Sequence, residues 1–143
     1  VGTSYYMAPE ILRSYFFYNR KEIERIAPYC AYKGDIWALG VCIFYCLHGY
    51  YPLDVICKSS KQERINELVK LFEVASSEDT PPLPSVKNVS DLDETYLERF
   101  RAVMRNHSSK LTFNCQDLLH RMLEVDGKKR ANVFEVVQHP YLR

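Results

Sequence analysis

Few side chains in this sequence could do chemistry, and most of them lie far apart. The chain opens on Val1-Gly2-Thr3-Ser4-Tyr5-Tyr6-Met7-Ala8-Pro9-Glu10. Thr3 could be a turn hydroxyl bonding its own backbone. Tyr5 and Tyr6 could be surface aromatics, or Tyr5 a phosphorylation site. Glu10 and Arg130 are either solvated charges or partners in an ion pair; a buried pair would cost about 3–5 kcal/mol if one partner were removed. Cys42 and Cys46 have the four-residue spacing of a metal pair on a helix. No His or acid matches them, so they read as small buried hydrophobes. The five cysteines, with no Cys-x-x-Cys pair, fit neither a disulfide framework nor a zinc site and suggest a reducing compartment. His107, His120 and His139 have no metal or triad spacing and are assigned structural roles. His48 reads as a polar cap near a helix C-terminus.

The element that must position these groups is Asp35 to Leu47, Asp-Ile-Trp-Ala-Leu-Gly-Val-Cys-Ile-Phe-Tyr-Cys-Leu. After Asp35 it has no charge, and a helix apolar all round belongs inside a core. It is too short for a membrane span, which needs about 20 apolar residues. Asp35 can serve as an N-cap, worth about 1 kcal/mol. Gly40 in mid-helix costs about 1 kcal/mol against Ala and signals close packing against the backbone. Gly49 ends the helix, and Pro52 prevents another at once.

Other elements follow in order. Pro9 can occupy the first turn of a short helix through Ile11 and Leu12, with Glu10 favouring its dipole. Asn19 with Glu22 resembles a capping box, predicting a short helix that ends by Pro28 with Ile23 and Ile26 on one face. The Tyr-Phe-Phe-Tyr run of Tyr15 to Tyr18 packs onto the body or forms a docking patch. Ile65, Leu68, Val69 and Phe72 give Lys61 to Glu73 an amphipathic helical period. Ser76 to Pro84 is a polar, Pro-rich loop, in which a Pro-x-x-Pro peptide site is the alternative to a plain connection. A further helix, capped by Ser90 with Asp93, carries Leu92, Tyr96, Phe100 and Val103/Met104. In Leu111 to Val125 the residues Leu118, Leu119, Met122 and Leu123 face a core, with Gly127 supplying a left-handed cap. Asn132 with Glu135 forms a capping box before Val136 and Val137, and His139-Pro140 stops that helix.

With 143 residues, 47% of them hydrophobic, the chain can bury one real core. A formal charge of +1 argues against nucleic-acid or membrane partners recruited by bulk charge. No basic-then-apolar leader and no transmembrane run occurs. The chain begins with Val rather than Met, as a processed product or a piece of a longer protein would.

The Gly-Thr-x-x-Tyr-x-Ala-Pro-Glu of Gly2 to Glu10, followed by the Asp-x-Trp-x-x-Gly of Asp35 to Gly40, resembles the C-terminal lobe of eukaryotic protein kinases. Arg130 and the His-Pro-Tyr-Leu of His139 to Leu142 continue the match in order. Thr3 is the Ser/Thr-kinase form of the loop, and Tyr-Tyr-Met before Ala-Pro-Glu is similar to calcium/calmodulin-dependent members. The resemblance implies a mainly α C-lobe bundle around the buried helix Asp35–Leu47, within a two-lobed α+β parent. Thr3 would then lock the peptide-binding loop to the catalytic loop. Ser4, Tyr5, Tyr6 and Met7 would floor a pocket for the substrate residue after the phosphorylated one. Ala8, Pro9 and Glu10 would close the activation segment, with Glu10 paired to Arg130. Asp35, Trp37 and Gly40 would belong to the central helix, Asp35 holding the catalytic loop from below. Cys42 and Cys46 would continue the column of side chains under the adenine ring. Against the family pattern, about 13–34 and 76–109 are longer than usual and read as insertions.

Phosphoryl transfer needs a Gly-rich loop, a phosphate-binding Lys, an Asp base with its Asn, and a metal-binding Asp. No Gly-x-Gly-x-x-Gly, Val-Ala-Ile-Lys, His-Arg-Asp or Asp-Phe-Gly occurs in the sequence. The reading is therefore a substrate-positioning C-lobe part of a Ser/Thr protein kinase, inactive alone and binding no metal or nucleotide directly. ATP and Mg would serve the parent only. Its apolar core would be exposed where the catalytic loop should rest on Asp35. The expected partners are protein substrates, the N-lobe and catalytic loop, and regulators on the Lys61–Glu73 helix or the insertions, in the cytoplasm or nucleus. A non-catalytic pseudokinase-like interaction module is the alternative.

Overall fold

Regular structure in the computed structural model is helical throughout the described residues, which are 6–19, 21–26, 28–52, 101–102 and 104–143. The chain forms α1 (Pro9–Asn19), a 3-10 turn (Ile23–Arg25) and α2 (Ala31–His48). Then come α3 (Phe113–Met122), α4 (Val133–Val137) and a closing 3-10 turn (Pro140–Leu142). Residues 101–102 and 104–107 are also helical. The fold is mainly α, the kinase-like helical C-lobe arrangement that the resemblance implies. Lys61 to Glu73, the Pro-rich loop and the start of the Ser90 helix lie outside the described residues.

α1 starts with Pro9, whose fixed φ suits the first helical turn, and Glu10 follows in that turn. It runs seven residues past Leu12, because the aromatic run continues the helix. Phe17 points into the core while Tyr15 and Tyr18 stay exposed. Asn19 is therefore the last residue of α1, and the capping box expected there does not form. The helix closes instead by a Schellman motif. The Glu22 N–H donates to the Phe17 carbonyl (2.9 Å), and the Lys21 N–H donates to Tyr18 (3.0 Å). Lys21 takes the left-handed conformation, φ 60°, that Gly usually supplies. The expected inserted helix shrinks to one 3-10 turn, and its N-cap residue Glu22 makes no side-chain cap bond.

α2 begins at Ala31, four residues before Asp35. Its N-cap is Cys30, without a side-chain cap bond, so Asp35 is not a cap. Gly49 ends it at φ 80°, its N–H donating to the Tyr45 carbonyl at 2.7 Å. The buried face holds Ile36, Trp37, Gly40, Val41 and Phe44. A Cβ at Gly40 would lie 3.0 Å from the Cβ of Met122 and 3.1 Å from a Leu123 methyl. That approach is how α2 seats on α3.

The helix is not buried all round. Asp35, Leu39, Cys42 and Cys46 are exposed, and their i, i+4, i+7, i+11 spacing places them on one face. Cys42 and Cys46 are thus not the buried hydrophobes expected from their local sequence.

α3 is capped by Thr112, whose hydroxyl accepts from the Cys115 N–H at 3.3 Å. Cys115, Leu118, Leu119 and Met122 on α3, with Leu123 after it, are buried against α2. Its C-cap is Leu123, and Gly49 is the one glycine with positive φ among the described residues. Gly127 is therefore not a left-handed cap. α4 carries the full capping box: the Asn132 side chain accepts from the Glu135 N–H (2.9 Å), and Glu135 accepts from the Asn132 N–H (3.2 Å).

Candidate functional site

The expected site residues fall into two groups, one on the segment leading into α1 and one along α2. Thr3, Ser4 and Tyr5 lie outside the described residues. Tyr6 and Met7 are half-buried and pack against the main core, and Ala8 and Pro9 are buried behind them. The Tyr6 and Tyr51 hydroxyls are 2.9 Å apart, and their rings meet edge-on with centroids 5.5 Å apart. Tyr51 in turn packs on Tyr45 near the end of α2, centroids 4.6 Å apart. Hence the segment entering α1 is held against the C-terminal end of α2. Tyr51 and Tyr45 were missed in the sequence, where neither carries a motif.

Behind that segment sits a buried ion pair. Arg130 Nη1 donates to Glu10 Oε1 at 2.7 Å and Nη2 donates to Oε2 at 3.0 Å. Nη1 also donates to the Lys33 carbonyl (2.8 Å), Nη2 to the Val125 carbonyl (3.3 Å) and Nε to the Glu124 carbonyl (2.8 Å). A guanidinium has five N–H donors, and each has an acceptor here. The Arg130 guanidinium also lies 5.2 Å from the Trp37 ring centroid, within cation–π range. Lys33 completes a reciprocal arrangement, its Nζ donating to the Arg130 carbonyl. Full satisfaction decides the energetics, because a buried pair with orphaned donors would lose more to desolvation than it gained.

Gly127 explains itself here. A Cβ on it would lie 3.0 Å from Glu10 Oε1 and 3.4 Å from the carboxyl carbon. Its role is to leave room for the carboxylate. Neither Lys33 nor Gly127 was legible as a site residue in the sequence: Lys33 lies in no motif, and Gly127 was read as a left-handed helix cap.

Asp35 stands one turn into α2 on the exposed face, with Leu39, Cys42 and Cys46 in line beyond it. Trp37 and Gly40 point the other way, into the core. The two groups of site residues meet through Arg130, which reaches both Glu10 at the start of α1 and the Lys33 carbonyl at the start of α2.

His48, His107 and His139 hold structure. His48 Nδ1 lies 2.9 Å from the Phe44 carbonyl oxygen, Nε2 lies 3.1 Å from that of His107, and the ring stacks on Phe44. The Tyr50 hydroxyl is 2.7 Å from His107 Nδ1. His139 Nδ1 accepts from the Tyr141 N–H (3.1 Å), which leaves Nε2 to donate to Asp117 Oδ2 at 2.7 Å. Asp117 also accepts from Arg121 Nε at 2.9 Å. The bond from His139, then that from Arg121, holds the Asp117 carboxyl below the usual aspartate value.

Among the described residues no group of three His, Cys, Asp or Glu side chains is placed to hold a metal. Nor is any helix among them long and apolar enough to cross a membrane.

The family model for the protein kinase domain matches residues 1–142. That family in general uses ATP and Mg; the described donors do not fit the metal, and no nucleotide step is assigned to them. The chain is 26% identical over 144 residues to a probable serine/threonine-protein kinase MARK-A of Dictyostelium discoideum, covering 99% of this chain and 9% of that protein. It is 26% identical to mitogen-activated protein kinase p38a of Drosophila melanogaster, covering 99% of this chain and 34% of that protein. With calcium-dependent protein kinase 9 of Arabidopsis thaliana it shares 27% identity over 100% of this chain and 18% of that protein. The chain thus spans about a third or less of the length of these relatives. Its ordered motifs, its helical fold and this match over nearly its full length agree: the chain belongs to the protein kinase domain family.

Proposed function

We propose that this chain is the substrate-positioning and structural C-lobe part of a Ser/Thr protein kinase. The parent transfers the γ-phosphoryl group of ATP to Ser or Thr hydroxyls of protein substrates, and this part alone is inactive. The observation that carries the reading is the fully satisfied Glu10–Arg130 pair. It fixes the segment entering α1 to the end of the domain and to α2, as a loop that bears on a peptide requires. Thr3 would act toward the catalytic loop and Ser4, Tyr5, Tyr6 and Met7 would floor the peptide pocket; for Tyr6 the Tyr6–Tyr51 contact supports that role. The face of Asp35, Leu39, Cys42 and Cys46 receives the catalytic loop and the column of side chains beneath adenine. The Tyr-Tyr-Met run supports a place near the calcium/calmodulin-dependent type. The lengthened segments at about 13–34 and 76–109, with the Lys61–Glu73 stretch, are the surfaces offered to regulators, in a cytoplasmic or nuclear setting.

Cysteine alkylation tests the reading. Cys42 and Cys46 are exposed in this chain, so N-ethylmaleimide should label both, as mapped by peptide mass spectrometry. In the parent, carrying the upstream segment, the same two thiols should be protected while exposed Cys30 stays reactive. Equal labelling of Cys42 and Cys46 in the parent would sink the reading. Failure of that parent to phosphorylate any Ser or Thr peptide would favour the non-catalytic module.

A further inference from the structure

A recess lies between helical residues 101–102 and 104–107 on one side and α3 on the other, outside the Glu10–Arg130 contact. It encloses about 30 Å³ and is lined by Arg101, Arg105, Ser108, Gln116, His120 and Glu124, with apolar side chains completing the wall. That is space for a few water molecules. It admits a compact oxyanion head with its outer oxygens in solvent, and excludes a nucleotide base.

The charge in the recess is positive. Arg101 and Arg105 are four residues apart in helical backbone and so share a face. Arg101 Nη2 lies 3.2 Å from Glu124 Oε1, so that acid offsets one guanidinium. Arg105 forms no ion pair with any described residue and is exposed. Opposite them stands His120, half-buried on α3. Burial holds its imidazole below the usual 6.5, and the charges of Arg105 and Arg101 push the same way; Glu124 and Asp117 push it back up. A guanidinium fork, a second guanidinium one turn away and a ring N–H together suit the planar, bidentate recognition of a phosphate oxygen pair. A phosphate monoester carries about −1.5 to −2 charges at neutral pH, enough to engage both arginines; a carboxylate carries one charge and two oxygens.

We propose that this recess is a binding site for a phosphate monoester, gripped by Arg105 and Arg101 and completed by the His120 ring. A phosphoserine or phosphothreonine on a protein segment and free phosphate share that head group. When the dianion enters, the charge around His120 reverses and the ring takes up a proton more readily.

The test follows the His120 C2–H proton by NMR in the full chain, assigned with a His120→Gln variant. The probes are inorganic phosphate, a phosphothreonine peptide and its unphosphorylated form, at constant ionic strength set with chloride. A saturable shift, with the His120 titration midpoint moved upward, is expected for the phosphorylated probes and not for the unmodified peptide. Arg105→Ala should weaken that binding about tenfold while leaving the melting temperature unchanged, since Arg105 is exposed. A phosphopeptide bound more tightly than inorganic phosphate identifies the protein-borne source; equal affinity identifies free phosphate. No saturable shift with either phosphorylated probe, or the same isotherm in the Arg105→Ala chain, would overturn the proposal.

Discussion

Arg130 meets Glu10 across 120 positions of sequence, through two parallel bonds of 2.7 and 3.0 Å. The guanidinium is fully buried and its remaining donors are spent on three backbone carbonyls. Removing it strands a carboxylate and leaves the Lys33, Glu124 and Val125 carbonyls without this donor. Arg130→Ala should therefore cost about 3–5 kcal/mol in urea unfolding of the chain. Arg130→Lys should recover little, because an ammonium has three donors and no fork. A Glu10→Leu, Arg130→Met double variant should lose less than the two single losses added, since no buried charge is left unpaired. An unchanged melt for Arg130→Ala would refute the stabilising role given to the pair.

Lys21 holds a left-handed conformation with φ 60° at the C-terminal end of α1. A residue with a Cβ pays about 1–2 kcal/mol there, whereas Gly does not, though Gly loses more freedom on folding. Lys21→Gly should therefore raise the chain's stability by roughly 0.5–1 kcal/mol. Lys21→Val should lower it, since branching at Cβ worsens the same clash. The midpoint of a urea titration reads both changes, and a destabilised glycine variant would count against the motif.

What was legible in the sequence was whatever depends on a few residues of local pattern. Gly49, the Asn132–Glu135 box and the inward face of Leu118, Leu119 and Met122 each announce themselves within one or two turns. The Glu10–Arg130 pair was legible for another reason: both residues lie in motifs that a known family keeps in order. The misses came from competition at a distance. Asn19 and Glu22 have capping-box spacing, but burying Phe17 extends α1 through Asn19 and removes the cap. Asp35 looked like a helix start, yet the backbone turns helical at Ala31, where Lys33 can reach Arg130 with both its carbonyl and its side chain. Cys42 and Cys46 are apolar by local sequence and exposed by position, because what covers a helix face is set by other parts of the molecule. Gly127 was read as a left-handed helix cap, while its cause is a carboxylate from the far end of the chain.

Acid should loosen the C-terminal end of the fold. The Asp117 carboxylate, bonded by His139 and then Arg121, titrates below the ordinary aspartate value of 3.8. A carboxyl whose folded value is lowered adds stability that is present above its unfolded value. That stability is lost as pH falls below 3.8 through the lowered one. The side chain is about a third exposed, 34%, so solvent screening keeps the effect small. Asp117→Asn should flatten the stability curve below about pH 4, its small deficit being full near neutrality and shrinking as pH falls. A pH series of urea midpoints for the two chains checks this; parallel curves would exclude Asp117 as a contributor.

Gly40 sets two effects of opposite sign against each other. In an exposed helix Gly→Ala gains about 1 kcal/mol from propensity alone. Here the new Cβ would sit 3.0 Å from the Cβ of Met122 and 3.1–3.3 Å from two carbons of Leu123. The Leu123 carbons can give way by a small rotation. The Met122 Cβ cannot, because it is fixed to the backbone of α3, so the two helices must move apart by a few tenths of an ångström. Overpacking of that kind costs about 1–3 kcal/mol. The balance for Gly40→Ala is therefore a net loss of up to about 2 kcal/mol, and Gly40→Leu should lose far more, because its whole side chain must enter the same contact. A Gly40→Ala chain more stable than the parent sequence would mean that α2 and α3 can separate freely. In that case the Leu118, Met122 and Val136 cluster, rather than the close backbone approach, would be what sets their distance.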